Sequence, residues 1–172
     1  ENPRVRVKTN HGTFFITLFP EKAPITVKNF INYVESKFYN ETLIHRVEKG
    51  FVIQGGGYTV GGKKKLTAEP IENEADNGLK NLKYTLSMAR TPQIDSATSQ
   101  FFINLRDNPS LDHRGDSPRE FGYAVFGKVS KGTDVIDKIG MVKTKKEGPL
   151  SKPVEPVIIE SMRMIGGGSE EE

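Results

Sequence analysis

The sequence predicts a mainly β fold: a closed eight-stranded antiparallel β-barrel capped by two α-helices. Three observations carry that expectation. Eight short runs rich in β-branched and aromatic residues are spread along the 172 residues. Only two stretches show helical periodicity, and strands and helices do not alternate as a parallel sheet would require. An antiparallel sheet of eight strands has to curl, and closure removes its edges. Side chains fill a barrel of that size, so a binding site is expected on its outside or rim. The length fits one domain, over residues 1–165, followed by a flexible Gly/Glu tail over residues 166–172.

In chain order, Val5 and Val7 alternate with basic residues in a first strand, and residues 13–18 form a second. Asn10-His11-Gly12 between them is a hairpin signal. Behind Pro24, the residues Ile25, Val27, Phe30, Ile31, Val34 and Phe38 recur at helical spacing and predict a helix over residues 24–36. Residues 43–47 and 51–54 are strands around a Glu48-Lys49-Gly50 turn, whose Gly supplies a positive φ. Gly55, Gly56 and Gly57 follow, and either close backbone approach or a strand bend accounts for them. Residues 58–83 read as a long polar surface loop. Strands at 84–89, 100–104, 121–129 and 156–164 and a helix at 132–139 complete the set.

Composition removes several chemistries. Cys is absent, which excludes disulfides, thiolate metal sites and thiol nucleophiles. No run reaches the ~18 apolar residues of a membrane span. His11, His45 and His113 lack metal spacing, and the glycines match neither a P-loop nor a dinucleotide fingerprint. No metal or cofactor is expected. Ser110, Asp112 and His113 read as a turn and not as a triad. The pI is ≈ 9.0, yet the basic runs at 63–65 and 143–146 lack interleaved aromatics and read as solvated loops. Nucleic acid is therefore not an expected partner. The chain opens at Glu1 without Met; with the lack of Cys this leads to the expectation of a mature periplasmic chain, the cytoplasm being the alternative.

Arg46 and Gln54 are polar side chains in otherwise apolar strands; taken alone, Arg46 reads as solvent-facing and Gln54 as a turn cap. Alternation along the strand sends His45 to the face opposite Arg46. The phrases FYNETLIHRVEKGFVIQGGG, SATSQFFINL, LDH and GYAVFGKVSKGTDVIDKI, in that order, resemble the cyclophilins. These are the cyclosporin-binding class of peptidyl-prolyl cis/trans isomerases, and NEADNGLKN and SATSQFFIN resemble bacterial members in particular.

The resemblance covers roughly residues 5–164 and implies an eight-stranded barrel with two helices, without a cofactor. It implies that Arg46 is the catalytic arginine. Phe51 lines the proline pocket, and Gln54 helps to hold substrate and arginine. Ala89 and the Arg90 backbone meet the substrate main chain. Gln100 and Phe102 match SQFF, with Phe102 as the pocket floor, and Leu111 is a further wall. Val52 stands where a Met is usual, Tyr123 where a His is usual and Ser110 where a Trp often sits. The first two keep the pocket lined, so turnover is expected. The third removes a large side chain that contacts cyclosporin, so inhibition is expected to be weak. The implied partners are proline-containing peptides and unfolded clients, met by a monomer.

Overall fold

In the computed structural model, which describes residues 2–166, the two β-rich N-terminal runs are β1 (Arg4–Thr9) and β2 (Gly12–Leu18). They are followed by α1 (Pro24–Glu35), β3 (Thr42–Glu48), β4 (Val52–Thr59), β5 (Thr85–Met88) and β6 (Phe101–Asn104). Then come β7 (Val125–Lys131), α2 (Thr133–Gly140), β8 (Thr144–Glu147), β9 (Leu150–Pro153) and β10 (Ile158–Ile165). Eight strands close a barrel in the order β1-β10-β3-β4-β6-β5-β7-β2, each pair antiparallel. The expected architecture is thus the one observed. The tail expected over residues 166–172 lies, beyond Gly166, outside the described residues.

The two remaining strands, β8 and β9, form a separate hairpin that packs through β9 against β3. Residues 143–146, expected as a solvated loop, fall mostly within β8. The strand is almost wholly exposed, so it carries no apolar alternation from which pairing could be read.

The core is aromatic where α1 meets the barrel. Phe30 is fully buried, with ring centroids 5.2, 5.7 and 5.1 Å from those of Tyr39, Phe101 and Phe126. Pro24 occupies the first turn of α1, as its fixed φ favours. Ala23 at the N-cap offers no side-chain acceptor. Glu74 of the long loop replaces it, accepting from Ile25 N at 3.1 Å, Thr26 N at 2.8 Å and Thr26 Oγ1 at 2.7 Å. A carboxylate there satisfies free N–H groups and meets the positive end of the helix dipole.

β4 runs straight through the three glycines, and the structure resolves the choice left open for them. Gly56 sits at φ 92°, and a Cβ there would lie 2.8 Å from Phe101 Cε2 and 2.9 Å from Tyr39 Cε1. A Cβ on Gly57 would lie 2.6 Å from Gln100 Cγ. The β3–β4 register also slips between Thr42 and Ile44 and between Ile44 and Arg46. Bend and close approach are the same feature: the strand kinks where its backbone presses onto neighbouring side chains.

Candidate active site

Antiparallel register assembles the site. Arg46 on β3 pairs with Gln54 on β4, which pairs with Phe102 on β6. The flanking Val47, Ile53, Phe101 and Ile103 all belong to the core, so alternation turns Arg46, Gln54 and Phe102 to the outside of the barrel in one row. Val52, two residues before Gln54, joins the same face.

Two hydrogen bonds hold the Arg46 guanidinium. Nε donates to Glu48 Oε2 at 3.0 Å, and Nη1 donates to Gln54 Oε1 at 3.1 Å. Gln54 is oriented in turn, its Nε2 donating to Gln100 Oε1 at 3.0 Å. The Arg46 and Glu48 side chains are 25% and 17% exposed, so the pair is partly shielded from water. Burial alone would raise the Glu48 carboxyl, but the Ser151 N–H and the Arg46 guanidinium outweigh it and hold the group below its ordinary value. Sequence reading placed Glu48 in the turn and gave it no role. Its spacing of two from Arg46 on one strand was the available signal.

A cavity of about 230 Å³ opens beside Arg46. Its lining is Arg46, Phe51, Val52, Gln54, Ala89, Arg90, Phe102, Leu111 and Tyr123, which brings together every expected site residue except Gln100. Gln100 stands behind Gln54 instead, in an adjoining groove with Lys64, Thr67, Thr91, Ser96 and Thr98. The Phe102 and Tyr123 rings meet edge to face at 5.6 Å. The Arg90 guanidinium lies over Tyr123 at 4.8 Å and is spent on the protein's own carbonyls: Gly122, Thr91, Gln93 and Pro118. The Ala89 N–H donates to Gln100 O at 3.0 Å, which leaves its carbonyl as the main-chain group of that residue for a ligand.

A buried amide network sets the cavity walls. Asn81 donates from N to Asp112 Oδ1 at 2.6 Å and from Nδ2 to Leu111 O at 3.1 Å. Its Oδ1 accepts from Ser87 Oγ at 2.6 Å and Asn104 Nδ2 at 3.1 Å. Tyr123 N donates to Leu111 O at 3.0 Å, and Asn108 Nδ2 to Phe51 O at 3.1 Å. Leu111, Tyr123 and Phe51 are therefore fixed by their backbones while their side chains remain available to the cavity. Asp112 serves this network and His113 Nδ1 lies 2.8 Å from Phe121 O, so the Ser110-Asp112-His113 segment is a structural turn.

His45 lies in a different cavity, lined also by Lys145 and Lys152. Simple pleat alternation does not place it there: Ile44 and Val47, three apart, are both core residues, and the register slip between Ile44 and Arg46 absorbs the extra residue. Its ring packs on Tyr58 at 4.6 Å. Burial, then the positive charges of Arg46 and Lys152, lower its pKa from 6.5 to about 4. The folded protein thus keeps His45 neutral while the unfolded chain takes up a proton below pH 6.5. Stability should fall by about 3 kcal/mol as pH drops from 6.5 to 4 through this group alone. In His45→Phe that component should vanish from urea melts run across the same pH range.

Comparison with known proteins agrees with this geometry. Residues 4–164 match the family described as cyclophilin type peptidyl-prolyl cis-trans isomerase/CLD. Peptidyl-prolyl cis-trans isomerase B of Escherichia coli is 54% identical over 159 residues, covering 92% of this chain and 97% of that protein. Peptidyl-prolyl cis-trans isomerase A of Dickeya dadantii is 53% identical over 162 residues, covering 94% of this chain and 84% of that protein. A Cryptosporidium parvum cyclophilin type isomerase, solved in the presence of the dipeptide Ala-Pro, superposes with a TM-score of 0.77 at 27% identity, over 95% of this chain and 99% of that one. With one family spanning the whole barrel and bacterial relatives at such identity, the chain belongs to the cyclophilin-type peptidyl-prolyl cis-trans isomerases.

Proposed function

We propose that this isomerase turns X-Pro bonds in extended or unfolded polypeptides by holding the proline ring against Phe51, Val52, Phe102, Leu111 and Tyr123 while Arg46 faces the amide nitrogen. The carrying observation is the guanidinium fixed by two hydrogen bonds at the edge of a cavity that Phe51, Val52, Phe102, Leu111 and Tyr123 also line. The reaction breaks only amide resonance, whose barrier is about 18–20 kcal/mol. Twisting the bond makes the nitrogen pyramidal and basic. A donor aimed there stabilises the twisted state and not the planar one, which is what acceleration requires. A guanidinium is a planar cationic donor suited to that task.

Arg46 does not suffice alone. Shortening a step from tens of seconds to milliseconds is ~10⁴-fold, or about 5.4 kcal/mol. A charged hydrogen bond supplies roughly 1.5–3 kcal/mol. The remainder falls to the cavity, which holds the ring while the preceding carbonyl rotates, and to the Ala89 carbonyl, which steadies the substrate chain.

Isomerisation of an Ala-Pro-containing peptide, followed by NMR exchange, tests this reading. Catalysed exchange is expected; binding without exchange would favour a proline-peptide holdase instead. In the same assay cyclosporin should inhibit weakly, because Ser110 is a small exposed residue beside Leu111. Nanomolar inhibition would overturn that expectation.

A further inference from the structure

We propose that Glu48 is a positioning residue for the reaction, tying Arg46 to the β8–β9 hairpin outside the barrel. The proposal rests on the role given to Arg46 above. An arginine side chain loses rotamer entropy when it is fixed, and a donor that is already fixed loses none in the transition state. Glu48 supplies that fixing for the Nε side of the fork at 3.0 Å, while Gln54 takes Nη1 at 3.1 Å. The two contacts lie on different nitrogens and so define the plane of the group. Among the described residues Nη2 has no hydrogen-bond partner, which makes it the nitrogen with donors to spare for a ligand.

Glu48 could not do this if it were itself free to turn. The same Oε2 accepts from Ser151 N at 2.9 Å, 103 residues further along the chain. Ser151 is a buried residue of β9. The carboxylate is therefore gripped from a second element, and one oxygen bridges the hairpin to the guanidinium. Gln54 is braced by Gln100 in the same manner. Arg46 is thus held from two sides, each holder having its own anchor. The pairing also has an opposing effect: a carboxylate at 3.0 Å weakens the positive field that the guanidinium presents to the amide nitrogen. Fixing the orientation is the larger effect, because charge-assisted hydrogen bonds depend steeply on angle.

A double-mutant cycle tests this with a readout that a merely structural role would not move. In Glu48→Ala, kcat for a prolyl peptide should fall by about 10- to 100-fold with little change in KM, since orientation is needed in the twisted state and not for holding the ring. Glu48→Gln keeps the shape and one acceptor and should lose less. In an Arg46→Ala background, adding Glu48→Ala should change the rate by less than about two-fold, because residues acting through one another are not additive. If Glu48→Ala retains the normal kcat or exceeds it, or lowers the rate equally with and without Arg46, the proposal fails while the role of Arg46 stands. If Arg46→Ala is itself fully active, both fall. Thermal unfolding of both variants guards against loss of fold, and a folded Glu48→Gln that loses as much kcat as Glu48→Ala also counts against the proposal.

Discussion

Arg46→Ala should lower kcat/KM for a prolyl peptide by about 10²–10³-fold, the range seen when one preorganised donor is taken from a developing charge. The fold should survive. Arg46 points outward from the barrel, and after truncation Gln54 still donates to Gln100 while Glu48 still accepts from Ser151. Binding of the ring should persist in the Phe51, Val52, Phe102, Leu111 and Tyr123 cavity, so the loss should fall mainly on kcat. Arg46→Lys should recover little, since a single ammonium cannot reach Glu48 and Gln54 together with the geometry of a planar fork. Near-normal turnover in Arg46→Ala, with circular dichroism unchanged, would remove the arginine from the mechanism.

Gly56→Ala should cost about 2–5 kcal/mol of stability. Two costs combine. The residue sits at φ 92°, where an L side chain costs about 1–2 kcal/mol, and the new methyl would sit 2.8–2.9 Å from the Phe101 and Tyr39 rings. Those rings are packed against Phe30 and against each other at 5.5 Å, so neither can retreat, and overpacking of this kind costs about 1–3 kcal/mol more. Urea unfolding should show a lower midpoint at an unchanged m-value. Gly50→Ala is the control: its φ is 68° but nothing lies within 4 Å of its Cβ, so only the backbone cost applies.

The pattern of strands and helices was readable because apolar alternation and Pro24 report directly on burial and helix start. Boundaries slipped where residues serve the site instead of the core. The run 121–129 looked like one strand, yet β7 begins only at Val125, because residues 121–124 wrap past the cavity with Gly122 at φ 86°. β4 was cut short at Gln54 because glycines read as a break, although it continues to Thr59. Within the site, the resemblance found the lining residues but not the brace. Glu48 looks like a turn residue locally, and its partner Ser151 lies in a hairpin with no apolar pattern. Gln100 lies in the groove adjoining the cavity, bonded to Gln54, a distinction of side-chain direction that no motif encodes. β8 was invisible for the same reason that it is exposed.

The ring order has a consequence for how this chain is made. β10 lies between β1 and β3, with Arg4 opposite Ile165 and Ile158 opposite Leu43. Until residues 158–165 arrive, the wall has a gap flanked by two strands with unpaired edges. A nascent chain still inside the ribosome tunnel at that point is an open sheet, however much of it has emerged. Closure then joins segments some 160 residues apart, the kind of long-range pairing that makes folding slow and leaves edges exposed to other chains meanwhile. A catalyst of other proteins' folding therefore completes its own barrel only after synthesis has passed its final strand.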